Sequence, residues 1–283
     1  MSIPPTETIE LPLPGGALRV HIAGAGQPVL FVHGILVNHL FWAQVIAGLA
    51  PHARCIAPDL PLGAHCLALP ADAPRGPLAV AAQLAALIDA LDLRDLTLVG
   101  NDTGGAICQL LLAHHPTDRI ARVVLTNCDA FEQFFPPAFN WLASSARRGP
   151  GLVNFLGRAL QRRVAQRLLL ATVARTQPDA ATLDAVFAPL RDPAVRHDLH
   201  RFLAAVEPAL TIAAAPLLRR FPGDVDLLWA SGDPLFRPSL ARRLAAAFGA
   251  AEPTFIRGSR AFVPLDRPDA LVALLRARVA AAA

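Results

Sequence analysis

The chain has 283 residues, 54% of them hydrophobic and 17% charged, enough to bury a sizeable core as one domain with an insertion or as two small ones. All 26 basic residues are arginine, tyrosine is absent and Met1 is the single methionine, so lysine Schiff bases, phosphate-loop lysines and tyrosine acids are excluded. The net charge of +4 does not read as a nucleic-acid surface. The densest arginines, Arg147, Arg148, Arg158, Arg162, Arg163 and Arg167, are broken by apolar residues at helical spacing, the pattern of a solvated helix face.

The N-terminal stretch "MSIPPTETIELPLPGG" has neither the basic region nor the apolar run of a secretion signal. Cys55, Cys66, Cys108 and Cys128 show no CxxC spacing, and apolar runs such as Leu78 to Ile88 are too short to span a bilayer. The expectation is a cytoplasmic protein with reduced thiols and no membrane or nucleic-acid partner, its oligomeric state left open.

In chain order, "TIELPLP" and "ALRVHIA", parted by Gly15 and Gly16, predict an antiparallel hairpin. "PVLFVHG" is apolar on both faces, as a strand sandwiched between helices must be. A helix around Phe41 to Leu49, the strand "ARCIAPDLP", a helix from Leu78 to Leu91, the strand "DLTLVG", a helix from Gly105 to His114 and the strand "RVVLTNCDA" follow. This alternation predicts an α/β fold with a mostly parallel sheet. From Glu132 to Arg220 the pattern is helical only; it then returns to "DVDLLWASGD", a helix from Ser239 to Phe248, "EPTFIRG" and a last helix. The organisation predicted is a core of residues 1–131 and 221–283, with residues 132–220 inserted after the sixth strand as a helical cap over the carboxyl ends of the strands, where α/β sites lie.

"GNDTG", Gly100 to Gly104, stands directly after a buried strand and directly before a helix. Flanking glycines let strand and helix close around a strained residue, lift its side chain above the sheet and place it on the helix's N–H groups and positive dipole. That spacing points to Asp102 as a nucleophile, although an aspartate before a helix also serves as a cap.

With the elbow, "VLFVHG", "LLWASGDPLF" and "SRAFVPLDRPDAL" complete a chain-long pattern. It resembles the α/β-hydrolase fold family, and within it the aspartate-nucleophile branch that includes haloalkane dehalogenases and epoxide hydrolases. The resemblance implies an eight-stranded, mostly parallel sheet and attack by the Asp102 carboxylate on an electrophilic carbon. It implies an oxyanion hole from the backbone N–H groups of Ile35 and Thr103, and a supporting acid at Asp233, with Asp129 the alternative position. No metal and no organic cofactor is expected; the one close pair of possible metal ligands, His197 and His200, reads as a solvated helix pair.

The departure is Ala261, in "GSRAFVPLD", where relatives read a histidine. That histidine would activate the water that cleaves the ester intermediate, so a hydrolase with Ala261 would stop at a covalent adduct. Two explanations stay open: an engineered replacement, or a chain that works without hydrolysis as a lyase, isomerase, cyclase or ligand-binding protein. Of the histidines, His39 is expected to face the pocket, while His33 reads as structural. Asn38 and Trp141 are candidate N–H donors to a leaving group, because Thr103 stands where dehalogenases usually place tryptophan. Phe131, Phe134, Phe135, Phe139 and Trp141 are candidate pocket lining, which favours a small to medium, neutral, hydrophobic partner molecule.

Overall fold

The computed structural model describes residues 7–280. They form eight strands in one sheet: β1 (Glu7–Leu11), β2 (Leu18–Ala23), β3 (Pro28–Val32), β4 (Arg54–Pro58), β5 (Leu96–Asp102), β6 (Ile120–Cys128), β7 (Asp224–Ala230) and β8 (Thr254–Ile256). The spatial order is β1-β2-β4-β3-β5-β6-β7-β8. β2 runs antiparallel to both β1 and β4, and every other pairing is parallel. The mostly parallel sheet expected from the alternation is present, with the eight strands that the resemblance implies.

Helices α1 (Ala43–Leu49), α2 (Pro77–Ala90) and α3 (Thr103–His114) connect the first parallel strands. Between β6 and β7 the described chain is helical: α4 (Asn140–Arg148), α5 (Gly151–Ala159), α6 (Arg163–Val173), α7 (Ala180–Phe187), α8 (Pro193–Ala204) and α9 (Pro208–Ala214). Helices α10 (Pro238–Phe248), α11 (Val263–Asp266) and α12 (Pro268–Ala280) complete the alternation. No single helix among the described residues is long and apolar enough to cross a membrane.

The core explains the sequence pattern. All seven residues of β5 are buried, and in β3 only Pro28 is partly open, because helices cover both faces of these central strands. β1, at the edge, keeps an alternating exposed pattern. The elbow helix starts at Thr103, two residues earlier than the predicted Gly105, since β5 runs through the glycine and turns only at Asp102. The carboxyl ends of four adjacent parallel strands, β3, β5, β6 and β7, therefore present His33, Asp102, Asp129 and Asp233 at one rim of the sheet.

The helical block is fastened to that rim at two places. Asp198 of α8, buried, accepts from Arg75 Nε at 2.7 Å, Leu69 N at 2.9 Å and His65 Nε2 at 3.2 Å. At the other, Phe262 N donates to Val173 O at 2.9 Å, and Asp266 accepts from the backbone N–H groups of Arg175 (2.8 Å) and Thr176 (2.6 Å).

Candidate active site

Asp102 takes φ 54 and ψ −134, a backbone conformation that side chains other than glycine rarely adopt. Two glycines make it possible. A Cβ on Gly34 would lie 2.2 Å from Asp102 Oδ2, and one on Gly104 would lie 2.1 Å from Val32 O, so strand, loop and helix close on the aspartate only if both lack side chains. The Asp102 side chain caps no N–H of α3 in the usual way. Oδ2 instead accepts from Ile35 N at 3.3 Å, and the Thr103 N–H acts on the same carboxylate. The two backbone donors thus converge on one group.

His33 organises the loop that carries Ile35. Its Nδ1 lies 2.8 Å from Gly34 O, and its Nε2 accepts from Leu60 N at 2.9 Å. Burial lowers its pKa to about 4, so the ring is neutral and its proton sits on Nδ1. This is the structural role that its strand-end position suggested.

A cavity of about 570 Å³, solvent at its mouth included, lies over the rim, lined by Ile35, Leu36, Val37, Phe135, Phe139, Phe262 and further apolar side chains from α4, α6 and α7, and among the described residues Asp102 is the only ionisable group in its wall. Burial pushes the Asp102 carboxyl up to about 6, with the Asp233 charge adding to it; the Thr103 and Ile35 N–H groups hold it back from rising further. Asp233 follows β7, is buried, and accepts from Asn127 Nδ2 at 2.7 Å and Leu235 N at 2.9 Å.

Asp129, at the end of β6, is wholly buried; Oδ2 lies 3.0 Å from Thr103 Oγ1 and Oδ1 has no partner. Burial first, then the neighbouring Asp102 charge, raises its pKa well above the ordinary carboxylate range. The Thr103 hydroxyl donates to Asp129 Oδ2 and stands beside Asp102, where its influence lowers the Asp102 pKa.

Ala261, between β8 and α11, is fully buried. Its carbonyl accepts from Asn101 Nδ2 at 2.8 Å, and the same amide reaches Thr126 Oγ1 at 2.7 Å and Asn127 O at 3.2 Å. Asn101 and Asn127 therefore tie the segment of position 261, the loop of Asp233 and the elbow into one buried network.

Four expected pocket residues lie elsewhere. His39 faces Asp59, with Nδ1 at 2.8 Å from Oδ1, and its ring stacks on His21 at 3.4 Å between centroids. Asn38 is committed to Ala64 O (3.2 Å) and to capping Leu40 N (3.2 Å). Phe131 lies under the Arg243 guanidinium at 3.9 Å, and Trp141 turns outward, 47% exposed. Phe135 and Phe139 do line the cavity; Phe134 does not. His197 is exposed, and His200 meets Ala146 O at 2.9 Å. Asn101, Asn127, Asp59 and His21 escaped the sequence reading, because nothing local marks residues brought together from 20 to 160 positions apart.

Comparison with known proteins adds relatives to this geometry. A family model described as alpha/beta hydrolase fold matches residues 27–268. The haloalkane dehalogenase of Mesorhizobium japonicum is 35% identical over 133 residues, 47% of this chain and 40% of that protein. The 2-hydroxymuconate semialdehyde hydrolase of Pseudomonas sp. strain CF600 is 36% identical over 110 residues, 38% of each chain. These two matches span about two-fifths of the relatives' length. Haloalkane dehalogenase 2 of Mycobacterium tuberculosis is 26% identical over 269 residues, covering 91% of this chain and 90% of its own. Among solved structures, the haloalkane dehalogenase DatA of Agrobacterium tumefaciens superposes with a TM-score of 0.79 at 22% identity, covering 98% of this chain and 97% of that one.

Proposed function

Because the chain belongs to the α/β-hydrolase fold family, we propose that it acts on a small to medium hydrophobic electrophile through Asp102, forming an alkyl ester on the enzyme. One observation carries this reading: a carboxylate at a positive-φ elbow, gripped by two backbone N–H groups, is the only ionisable group in the wall of an otherwise apolar cavity. Full-length dehalogenase relatives support the substrate class.

In this mechanism Ile35 N–H holds Oδ2 of Asp102, with the Thr103 N–H on the same carboxylate, while the other oxygen attacks carbon from within the cavity. The new C–O bond forms as the carbon–halogen bond breaks, and the electron pair departs with the halide. The held oxygen becomes the ester carbonyl oxygen, already seated where a later oxyanion would need donors. Water attack on that ester needs a base, and Ala261 offers none. Asp233, fixed by Asn127 and Leu235 N, would be the acid orienting a histidine at 261. Residues 132–220 act as the cap that closes the cavity.

A second reading uses Asp102 as a base in a non-hydrolytic reaction. It is favoured by the pKa near 6, which matches proton transfer close to neutral pH.

Intact-protein mass spectrometry after incubation with alkyl halides separates the two. The nucleophile reading expects one stable alkyl adduct, absent in Asp102→Asn, and its release in Ala261→His with turnover raised by about 10²–10⁴-fold. If no halide or epoxide leaves an adduct, the nucleophile reading fails, and deuterium uptake into a bound carbon acid then tests the base reading.

A further inference from the structure

Away from the cavity, two histidines and a buried carboxylate from three separate segments meet at the β2 side of the rim. His21 is in β2, paired in register with Ala57 of β4; Asp59 follows the last residue of β4; His39 opens the turn before α1. His21 Nε2 lies 3.2 Å from Asp59 Oδ2, His39 Nδ1 lies 2.8 Å from Asp59 Oδ1, and one donor atom from each of the three lies within 4.8 Å of the others.

We propose that His21, Asp59 and His39 form a binding site for one divalent transition-metal ion of the zinc class. The proposal is independent of the reaction assigned to Asp102. Two imidazoles and one carboxylate are a donor set that suits zinc, cobalt or nickel and does not suit calcium or magnesium. The Asp59 side chain is 2% exposed and its ionised form is held by these donors: burial alone would raise its pKa, and hydrogen bonds from His21 and His39 and the His39 N–H lower it well below the ordinary range. The nearest cation along β2, Arg19, is already paired with Glu10 at 2.8 Å, so the carboxylate is left to the two rings.

The outer contacts fit ligation. Thr8 Oγ1 lies 3.0 Å from His21 Nδ1, the far nitrogen, and can fix the tautomer whose Nε2 lone pair faces the ion. His39 is 23% exposed, which gives an ion a way in and leaves a coordination position to water. The rings stack within 20° of parallel, so an ion cannot lie in both ring planes as they stand. The more exposed ring, His39, must turn about χ2 to bring its lone pair onto an ion at the Asp59 edge of the stack. Occupied, the site would clip β2, the second strand from the edge, to the segment that continues from the loop of Ile35.

The test uses the tag-free, chelator-stripped full chain. Co²⁺ titration is expected to give a visible d–d band saturating at one equivalent, Zn²⁺ to abolish that band and to raise the melting temperature, and Thr8→Val to weaken Zn²⁺ by about 10–100-fold. The double variant His21→Asn, His39→Asn, with far-UV circular dichroism like the parent, is expected to lose the band; if it does not fold, His39→Asn alone carries the same comparison. Absence of the band from the parent chain, or its persistence at full strength in the histidine variants, overturns the site.

Discussion

At residue scale, the elbow that presents Asp102 to the cavity also stores free energy in its carboxylate. Its carboxyl is raised from 3.8 to about 6, so the folded state binds a proton more tightly than the unfolded one. The charged form is therefore a burden that is absent below the unfolded pKa, grows as pH rises from about 4 to about 6, and is complete above that. At about 1.4 kcal/mol per unit the full burden is on the order of 2–3 kcal/mol. Asp102→Asn is expected to raise urea-unfolding stability by about 1–3 kcal/mol at pH 7.5 and by much less at pH 4.5. A gain that is the same at both values would show that the ionised carboxylate is not strained. Alkylation by a primary halide should rise with pH through about 6 and then level off. It should keep that midpoint in Asp129→Asn, because burial and the Asp102 charge push the Asp129 carboxyl toward its neutral form; a fall of more than one unit would mean that Asp129 is ionised.

Which residues could be read in the sequence follows from how local their constraints are. The elbow was legible because Gly100, Asp102 and Gly104 are neighbours between a strand and a helix, a spacing that marks a sharp strand-to-helix turn in the sequence itself. His39, Asn38, Phe131 and Trp141 were misplaced because a loop side chain points where its partner is. Those partners, Asp59, Ala64 and Arg243 for the first three, come from other segments. The carboxylate of Asp129 could be placed at the rim, yet its orphaned Oδ1 became visible only with the strand beside it.

At the scale of elements, the site depends on how closely α3 approaches β3. Gly104 sits where any Cβ would meet Val32 O at 2.1 Å and His33 O at 2.6 Å, both rigid backbone atoms. Gly104→Ala is expected to wedge the helix from the strand, costing about 1–3 kcal/mol or more in urea unfolding and reducing alkylation by moving Thr103 N off Asp102. Unchanged stability and alkylation would show that the elbow tolerates a wider spacing. The element order was readable almost throughout because period and length distinguish strands from helices here. The boundaries were not: β5 runs two residues past the predicted strand to take in Asn101 and Asp102, because pairing with β6 resumes at Asp102 opposite Cys128 after an irregularity.

At the scale of the molecule, the helical block rests on the rim through Asp198 on one side and Asp266 with Phe262 on another, and its inner faces make the mouth of the sheet into a partly open, greasy chamber. On the proposed reaction, a halide expelled there would be poorly solvated at birth: the lining is almost all carbon, Asn38 spends its amide on Ala64 O, Trp141 faces outward, and the two backbone N–H groups are engaged by Asp102 itself. The departing anion must then carry its charge by polarisability more than by hydrogen bonds. Among primary alkyl halides of one chain length, iodide should outrun bromide, and bromide chloride, by wider margins than acetate shows toward the same compounds in water. Equal margins would reveal a donor to the departing ion that the walls of this chamber do not display.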